Sequence, residues 1–368
     1  MDFTISETQQ ELAALARRIL GDHLTQDRLK AVEAATPRFD RDLWAALAEA
    51  GILAAAVPES IGGGGLDLLE QCSILIELGR AVAPVPYLPS VAVGAAAIGY
   101  FGTDAQRSQW GSPAAAGALV LGLALTEDLV DSPESPATRA VRAGDGWALT
   151  GAKAVVVAGA IADAFLVPAS TDEGVAIFIV PAGSDGLVAT QETYVDGDTL
   201  VSLELADVVV GDDQRFGDAD VLHWMHARTT IGTCALQLGV LERALELTAD
   251  YARSREQFGR PIGSFQAVAQ RLADAAIDVD AVRLTLWEAA WRTAEGLSGP
   301  AWMVAKFWAA DAGHRVAHTA VHVHGGAGID VDVATHRYFL AAKRNEFLLG
   351  GATSQLRALG AELAATPA

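Results

Sequence analysis

The sequence predicts an α+β fold that is mostly helical, with an N-terminal helical domain, a middle antiparallel β-barrel or sandwich, and a C-terminal four-helix bundle. Apolar residues recur with a helical period near both ends of the chain, whereas short apolar runs bounded by turn residues fill its middle. The length of 368 residues favours about two to three domains. We therefore expect domains at residues 1–115, 116–215 and 216–368.

The N-terminal domain opens with a helix start signal. Ser6 and Gln9 have the spacing of a capping box, in which each side chain bonds the backbone N–H of the other residue. A second helix is predicted from about Asp40 to Gly51, because glycine commonly follows the last helical residue. We interpret the glycine run at residues 62–65 as a flexible loop, since it lacks the lysine and serine of a phosphate-binding loop.

The middle of the chain carries short strand-like runs. Residues 143–146 read Ala-Gly-Asp-Gly between two such runs, which is a hairpin signal. Because no helical pattern separates the runs, we predict an antiparallel barrel or sandwich of about 90 to 100 residues. The predicted strands are residues 119–125, 139–141, 147–149, 154–157, 164–167, 175–180, 200–205 and 208–210.

Long amphipathic stretches return after about residue 218. Short breaks rich in glycine and proline separate them, which is typical of an up-and-down helical bundle. The predicted helices are residues 218–253, 265–294, 300–323 and 333–348.

The composition excludes several classes of protein. The 26 Lys and Arg against 46 Asp and Glu give a net charge of −20, which repels nucleic-acid phosphates and anionic membrane surfaces. Cys72 and Cys234 are too few for a disulfide framework or a cysteine metal cage. We recognise neither a signal peptide nor a membrane-spanning segment. We expect a cytoplasmic protein that binds neither nucleic acid nor membrane.

Three arginines lie close together in this acidic chain. Arg253, Arg255 and Arg260 lie in or next to the segment SREQFGRPIGSFQ. Such a cluster suits a bound anion such as a diphosphate, which guanidinium groups bind bidentately. A solvated helix end is the alternative, because arginine is also favourable near a helix C-terminus. Spacing alone leaves both interpretations open.

Three histidines recur at helical spacing. His314, His318 and His322 share one helix face, as metal ligands do. Asp311 is the only carboxylate at helical spacing from them, no cysteine is near and the HEXXH pattern is absent. We therefore predict no metal site here. The glycine pair at residues 325–326 would let the backbone approach a ligand closely.

Glu242 falls within the apolar stripe of its predicted helix. A carboxylate on a buried face is either a general base with a raised pKa or the partner of a buried arginine. The structural role is the more frequent one, and we expect it here.

The segments above resemble a known family, the FAD-dependent acyl-CoA dehydrogenases, along nearly the whole chain. The stretch VPESIGGGGLDLLEQCSILIELGR is similar to the family's PE-x-x-GG-x-G stretch, and ALTE (residues 124–127) to the start of its flavin-contacting loop. WALTGAKAVVVAGAIADAFLVPA resembles the family's strand pair. REQFGRPIGSFQ and VHVHGGAG resemble the two motifs that hold the ADP half of FAD.

This resemblance implies the three-part fold given above, assembled as a tetramer with FAD between subunits. It implies that a glutamate removes the α-proton of an acyl-CoA thioester and that flavin N5 takes the β-hydride, with an electron-transfer acceptor protein as a further partner. Arg255 would contact the diphosphate, and His322 stands where the family has glutamine. The other implied cofactor-binding residues are Phe258, Phe265, Gln266, Gly325 and Gly326.

The departures from the family pattern concern the flavin ring. Val155 and Val157 stand where the family has a flavin-stacking tryptophan and a flavin-bonding threonine, and Asp131 and Pro133 replace a glycine and an aspartate. Valine has no side-chain donor for a flavin heteroatom. We therefore expect the flavin-ring half of this chain's own site to be degraded and its ADP-binding half to be intact.

Neither family position of the catalytic base is acidic. One lies near Thr229, and residues 221–241 contain no Asp or Glu; the other lies at residues 349–351, which read Leu-Gly-Gly. Glu242 lies 13 residues beyond Thr229, which is about 20 Å along a helix. No catalytic residue is therefore assigned to this chain.

We expect one subunit of an α2β2 acyl-CoA dehydrogenase that holds the ADP part of FAD for a homologous partner. The ending HRYFLAAKRNEFLLGGATSQLR resembles the branch of the family in actinobacterial steroid degradation, which implies the CoA thioester of a steroid side chain, as in cholesterol catabolism. Two alternatives stay open: a self-sufficient homotetramer with Glu242 as base, and a non-catalytic scaffold subunit that binds no FAD.

Overall fold

A computed structural model describes residues 4–128, 130, 132–297 and 299–365 of the chain. The chain divides into two compact units, and each unit is assembled from separate stretches of sequence. The first unit comprises Met1–Leu29, Leu68–Ala83 and Thr230–Ala368, and the second comprises Lys30–Asp67 and Pro84–Thr229. The predicted domains at residues 1–115, 116–215 and 216–368 stay a prediction.

Helices account for most of the regular structure, as predicted. The long α-helices are α1 (Glu7–His23), α2 (Gln26–Glu33), α3 (Arg41–Glu49), α4 (Leu68–Arg80), α5 (Ala219–Ser254), α6 (Gln266–Ala294), α7 (Ala301–His324), α8 (Thr335–Phe347) and α9 (Ala352–Ala365). Short α-helices are Ile52–Ala55, Ala96–Phe101, Asp104–Gln106 and Ser112–Ala115, and π-helical turns are Tyr87–Ala95 and Arg107–Gly111. The 3₁₀ turns are Glu59–Ile61, Gly159–Ile161, Asp212–Gln214, Ile262–Ser264 and Gly325–Gly328.

The predicted C-terminal helices are confirmed as α5 to α8. In the first unit α6 packs along α7, and α7 also packs against α8 and α9. The sequence did not predict α9, which follows α8 after a break at Gly350 and Gly351. Most of its side chains are exposed, with Gln355 as its buried residue, so its apolar pattern is weak.

Two glycines let α4 and α5 touch through their backbones in the first unit. A Cβ atom on Gly239 would lie 1.9 Å from the carbonyl oxygen of Ile76, and one on Gly79 would lie 2.1 Å from that of Leu236. No side chain fits at either position. This crossing brings the C-terminal end of α4, with Arg80, beside the middle of α5.

The second unit contains a mixed β-sheet. Its order is β6-β7-β3-β2-β4-β5-β8, with β1 paired to β4. Large apolar side chains such as Phe165 and Phe178 are buried at its centre. The strands are β1 (Leu121–Leu123), β2 (Arg139–Ala143), β3 (Gly146–Val156), β4 (Ala164–Thr171), β5 (Gly174–Pro181), β6 (Leu187–Thr193), β7 (Thr199–Gly211) and β8 (Arg215–Phe216).

The prediction of a purely antiparallel sheet is wrong in two places. The hairpin of β2 and β3 is confirmed, with Ala143 opposite Gly146, but β1 and β2 both pair with β4 in parallel. The spacing of apolar runs identifies strands but not their partners. The long segment between β1 and β2 lets the chain return, so that β1 can lie parallel to β4. The predicted runs 200–205 and 208–210 form one strand, β7.

Local signals in the N-terminal third are confirmed, with one exception. Ser6 and Gln9 form the predicted capping box at 3.0 and 3.1 Å, and the Asp40 side chain accepts the Leu43 N–H at 3.1 Å. The glycine run at 62–65 is not a free loop. Its backbone N–H groups bond to carbonyls of residues 54–59, and a Cβ on Gly63 would lie 2.0 Å from the Val57 oxygen. The glycines are needed for this close backbone packing.

Among the residues that the structure describes, no helix has both the length and the apolar character needed to cross a bilayer. The cytoplasmic location stays a prediction.

Candidate functional site

The arginine-rich motif forms an exposed hairpin directly after α5. Strand β9 (Glu256–Gln257) pairs antiparallel with β10 (Arg260–Pro261), with Phe258 and Gly259 at the turn. Both turn residues have positive φ, 53° and 75°, as the twisted two-residue turn requires. Glycine adopts this backbone freely, whereas phenylalanine is strained in it. The turn presents the Phe258 ring to solvent, with 92% of the residue exposed.

The three arginines of the motif are not equivalent. Arg253 is paired with Asp250 at 3.0 Å, one turn earlier on α5. Arg255 and Arg260 are exposed, and within the described part of the chain no carboxylate lies at ion-pair distance from either guanidinium. Two cations without a described ion-pair partner therefore remain in a chain of net charge −20, and the choice between an anion site and a solvated helix end stays a prediction.

Aromatic rings support one of these cations. The Arg260 guanidinium lies 4.2 Å from the centroid of the Phe265 ring. Phe265 in turn meets Phe258 edge to face, with centroids 6.1 Å apart and an interplanar angle of 88°. Phe265 precedes Gln266, the exposed first residue of α6. The predicted residues Phe258, Phe265 and Gln266 thus lie together with the arginines.

The second predicted motif lies at the C-terminal end of α7. His322 is exposed in the last helical turn, and Gly325 ends the helix with φ 61°. A Cβ atom on Gly325 or Gly326 would meet no atom within 4 Å. The backbone at these glycines is therefore open, and its approach to a ligand stays a prediction.

A ring stack that the sequence analysis missed joins the two motifs. Tyr251 lies on the His324 ring with centroids 4.4 Å apart and an interplanar angle of 22°. Tyr251 accepts the Arg255 N–H at 2.8 Å through its carbonyl, and His324 lies two residues after His322. His324 is itself fixed by Thr335, whose hydroxyl lies 3.2 Å from Nε2. The ends of α5 and α7 therefore lie next to each other in the first unit.

The arrangement fits the ADP half of FAD. Uncompensated guanidiniums suit a diphosphate, exposed rings can stack on a purine, and open glycine backbone admits close approach. We call this set the nucleotide surface: Arg255, Phe258, Arg260, Phe265, Gln266, His322, Gly325 and Gly326.

The histidine array does not form a metal centre in the described structure. His314 and His318 lie with ring centroids 4.4 Å apart, and Lys343 Nζ lies 2.8 Å from His314 Nδ1. Burial lowers the pKa of His318, and the neighbouring His314 and Lys343 lower it further. Within residues 4–128, 130, 132–297 and 299–365, no group of three or more His, Cys, Asp or Glu could hold a metal ion.

The positions that would seat a flavin ring lie in the second unit. Val155 is half-buried with φ 54°, and neither Val155 nor Val157 has a side-chain donor. Asp131 lies outside the described residues. The residues present therefore do not fit the hydrogen bonding of a flavin ring in the way that the nucleotide surface fits ADP.

The carboxylate of Glu127, in the same region, is hydrogen-bonded to other residues of the chain. Its Oε1 atom accepts Lys153 Nζ at 2.5 Å and the Thr138 hydroxyl at 2.6 Å, and its Oε2 atom accepts the Ala137 N–H at 2.6 Å. Burial alone would raise the pKa of Glu127, but these hydrogen bonds outweigh burial and lower it. Burial lowers the pKa of Lys153, against the effect of Glu127. The ion pair between Glu127 and Lys153 thus holds the loop that contains Glu127 in place.

Glu134 is a carboxylate that the sequence analysis missed, and it lies beside the first turns of α5. Its Oε1 atom accepts from His226 Nδ1 at 2.9 Å and from His223 Nδ1 at 3.1 Å. Hydrogen bonds from His223 and His226 lower the pKa of Glu134 to about 2. A carboxylate with so low a pKa is a weak proton acceptor near neutral pH.

The family base positions carry no acid in the structure either. The Thr229 hydroxyl donates to the Met225 carbonyl at 2.6 Å. Leu349 has φ 56° and Gly350 follows it. Glu242 accepts from Arg80 at 2.8 Å and from Arg283 at 3.0 Å. Its carboxylate is thus the partner of two arginines, as expected for a structural role.

Similar sequences are known along most of the chain. The family described as acyl-CoA dehydrogenase, C-terminal domain, matches residues 221–364, and acyl-CoA dehydrogenase, N-terminal domain, matches residues 6–118. The acyl-CoA dehydrogenase FadE27 of Mycobacterium tuberculosis is 48% identical over 100% of both chains.

Solved structures show the same likeness. A chain of the ChsE4-ChsE5 complex from Mycobacterium tuberculosis is 49% identical with a TM-score of 0.97, covering 100% of both chains. A chain of a variant of the Tcur3481-Tcur3483 steroid ACAD is 42% identical with a TM-score of 0.93, covering 98% of this chain and 99% of that one.

Proposed function

Because this chain belongs to the acyl-CoA dehydrogenase family, whose members are FAD-dependent flavoproteins, we propose that it is one subunit of a hetero-oligomeric acyl-CoA dehydrogenase. Its nucleotide surface binds the ADP half of an FAD whose flavin ring is seated in a homologous partner subunit. The observation that carries the proposal is a contrast within one chain. Arg255 and Arg260 are exposed without a described ion-pair partner, whereas the flavin-ring and base positions carry Val155, Val157 and Thr229.

Four residues of the nucleotide surface have distinct tasks under this proposal. The Arg255 guanidinium neutralises and orients the diphosphate through charge-assisted hydrogen bonds. His322 can donate a hydrogen bond on the adenosine side, and the open backbone at Gly325 and Gly326 lets the nucleotide approach. Bound FAD supplies the hydride acceptor for α,β-dehydrogenation of the acyl-CoA. This chain supplies no base, so the proton is removed by the partner.

The partner is a second acyl-CoA dehydrogenase chain in an α2β2 tetramer. Support comes from the ChsE4-ChsE5 complex, which is named for two components and one of whose chains is 49% identical to this one. We propose that the substrate is the CoA thioester of a steroid side chain, as in cholesterol catabolism. The 42% identity to a chain of a steroid ACAD supports this substrate class.

Reconstitution tests the proposal. The purified chain, the candidate partner and the co-expressed pair are each assayed for α,β-dehydrogenation of a steroid side-chain CoA thioester with an artificial electron acceptor. We expect turnover for the pair and none for this chain alone. Full turnover by this chain as a homotetramer would contradict the proposal, as would an active pair that contains no flavin.

A further inference from the structure

We propose that His324 is a positioning residue of the nucleotide surface, and that its ring stack on Tyr251 fixes the hairpin after α5 relative to the glycine turn after α7. This role rests on the proposed function and deepens it. His324 is only 7% exposed, so it acts through its neighbours rather than on FAD directly. The quantity that it controls is how far the binding surface is formed before the cofactor arrives.

Two hydrogen bonds hold the imidazole of His324 in one orientation. Its Nδ1 atom lies 2.8 Å from the carbonyl oxygen of Ala320, and its Nε2 atom lies 3.2 Å from the hydroxyl of Thr335 on α8. A carbonyl oxygen only accepts, so the proton is on Nδ1, and the Thr335 hydroxyl can donate to Nε2. Thr335 is 2% exposed, so bulk water does not reach this contact. The ring therefore presents a fixed flat face.

That face carries the ring of Tyr251, and with it the end of α5. The two ring centroids are 4.4 Å apart, and the rings are 22° from parallel. The Tyr251 carbonyl accepts the N–H of Arg255 at 2.8 Å, which is the last helical bond before the hairpin. A Cβ atom on Gly263 would lie 3.0 Å from the carbonyl oxygen of Ala252, so the returning arm of the hairpin packs on the same helical turn. A displacement of Tyr251 therefore displaces the backbone at Arg255.

The glycine turn at the end of α7 lies against the same histidine. His324 is the last residue of the helix, and the 3₁₀ turn Gly325–Gly328 follows it directly. A Cβ atom on Gly328 would lie 2.8 Å from the carbonyl oxygen of Val321 and 3.1 Å from the Cβ atom of His324, so the turn folds back onto this residue. His324 thus connects the two motifs of the nucleotide surface, which are distant in sequence.

Such a connection favours binding by preorganisation. If the hairpin and the glycine turn moved independently, FAD would have to fix both, and the lost freedom would oppose affinity. A stacked aromatic pair contributes enough to change an equilibrium by about threefold to tenfold beyond its buried area. We therefore expect loss of the stack to weaken FAD binding by that factor. Turnover per bound flavin should stay unchanged, because under the proposed function the flavin ring lies in the partner.

A double-mutant cycle in the co-expressed complex tests the role. His324→Leu, Tyr251→Leu and the double variant are each diluted, and FAD release is followed by flavin fluorescence. Each single substitution should speed release about threefold to tenfold. The double variant should be no faster than the faster single variant, because both substitutions remove the same stack. We expect kcat per bound flavin to match wild type in all three.

Phe339→Leu is the matched control. Phe339 meets the ring of His318 at 5.3 Å between centroids, elsewhere on α7, so the substitution removes another histidine–aromatic contact of the same helix. This contact does not join the two motifs, and its loss should leave FAD release unchanged.

Two further substitutions separate the stack from the hydrogen bonds. His324→Phe keeps a ring on Tyr251 but loses both hydrogen bonds, whereas His324→Asn keeps a donor for the Ala320 carbonyl but loses the ring. We expect FAD release from His324→Phe to be closer to wild type than release from His324→Asn. The opposite order would overturn the positioning role of the stack. Circular dichroism and native mass spectrometry check that each variant folds and assembles.

The outcomes separate the positioning role from the proposed function. If Arg255→Ala speeds FAD release and the substitutions at His324 and Tyr251 do not, the positioning role is wrong and the proposed function stands. A loss of kcat per bound flavin in the stack variants would also contradict it, since it would reveal a general loosening of the complex. If Arg255→Ala leaves FAD release unchanged as well, the nucleotide surface itself is wrong, and the proposed function falls with it.

Discussion

At the residue scale, the contacts of Glu242 distinguish a structural role from that of a catalytic base. Its carboxylate is 18% exposed and accepts from Arg80 at 2.8 Å and Arg283 at 3.0 Å. Arg80 also binds Glu246 at 2.7 Å, so the carboxylate belongs to an ion-pair network that links α4, α5 and α6. Glu242 therefore holds helices together.

We expect Glu242→Gln to lower the free energy of unfolding by about 2 kcal/mol, because it leaves a partly buried Arg80 with fewer charges to pair. Urea unfolding measures this. Glu246→Gln is the matched control: it removes a partner from the same arginine, but Glu246 is 43% exposed, so its loss should be smaller. Unchanged stability, with kcat lost and flavin still bound, would instead identify Glu242 as a base in a homotetramer.

Val155 is a strained residue. It has φ 54° within β3, near the register shift between Lys153 and Val156. A β-branched side chain is disfavoured in the left-handed region, whereas asparagine tolerates it. By the resemblance to the family, Val155 stands at the position of the flavin-stacking tryptophan. Its valine side chain makes no polar contact that would offset the strain.

Relief of this strain should stabilise the protein. We expect Val155→Asn to raise the free energy of unfolding by about 1 kcal/mol. Val157→Asn is the control, since Val157 is not among the residues with positive φ and should gain nothing. Both are compared by thermal unfolding. A loss of stability in Val155→Asn would show that the apolar contacts of the valine outweigh the backbone strain.

At the scale of elements, Glu134 ties the segment before β2 to the first turns of α5. Its side chain is 35% exposed, and both imidazoles bond the same oxygen. The pKa of Glu134 is lowered from 4.5 to about 2, so the folded state binds fewer protons than the unfolded state between these values. The stability from this contact is therefore present above about pH 4.5 and is lost as the pH falls through about 2.

We expect Glu134→Gln to cost about 1 kcal/mol of unfolding free energy at pH 5.5, a value reduced for solvent screening. The gap to wild type should narrow at pH 3.5, because the carboxyl of Glu134 binds a proton there in the unfolded wild type but not yet in the folded state. Urea unfolding at both pH values measures it. Glu173→Gln is the control, because Glu173 pairs with Arg215 and is more exposed than Glu134. Its free energy of unfolding should differ little from that of wild type at either pH. A gap that stays constant with pH would contradict the ion-pair assignment.

The whole molecule is expected to be half of a working assembly. Under the proposed function the nucleotide surface lies in its first unit, and the second unit carries Val155 and Val157, without side-chain donors, at the expected flavin positions. Under the proposed function each unlike pair of subunits holds one flavin. An α2β2 tetramer should therefore contain two FAD molecules.

Native mass spectrometry combined with flavin absorbance measures this ratio. Added FAD should not raise the number of flavins per tetramer, because the other two positions lack the side chains that contact a flavin ring. Four flavins per tetramer would contradict the division of roles between the subunits. The Arg255→Ala complex should contain fewer than two flavins, at unchanged subunit stoichiometry.

Much of the fold and part of the site could be predicted from local sequence signals. The capping box at Ser6 and Gln9, the hairpin at residues 143–146 and the long C-terminal helices depend on neighbours in sequence, and all are confirmed. The parallel pairing of β1 with β4 was missed, as was the packing of the glycine run. Both depend on which distant segment lies alongside, and single-strand patterns carry no such information.

The sequence by itself determined which chemical groups the chain possesses. The absence of an acid at residues 221–241, the valines at positions 155 and 157, and the arginines of the hairpin are covalent facts. Only the tertiary structure decided how those groups are used. It paired Glu242 with Arg80 across 162 residues, and it placed Tyr251 on His324 and Arg260 on Phe265. Helical and strand periods arise from contacts a few residues apart, whereas these pairings form when distant segments pack together.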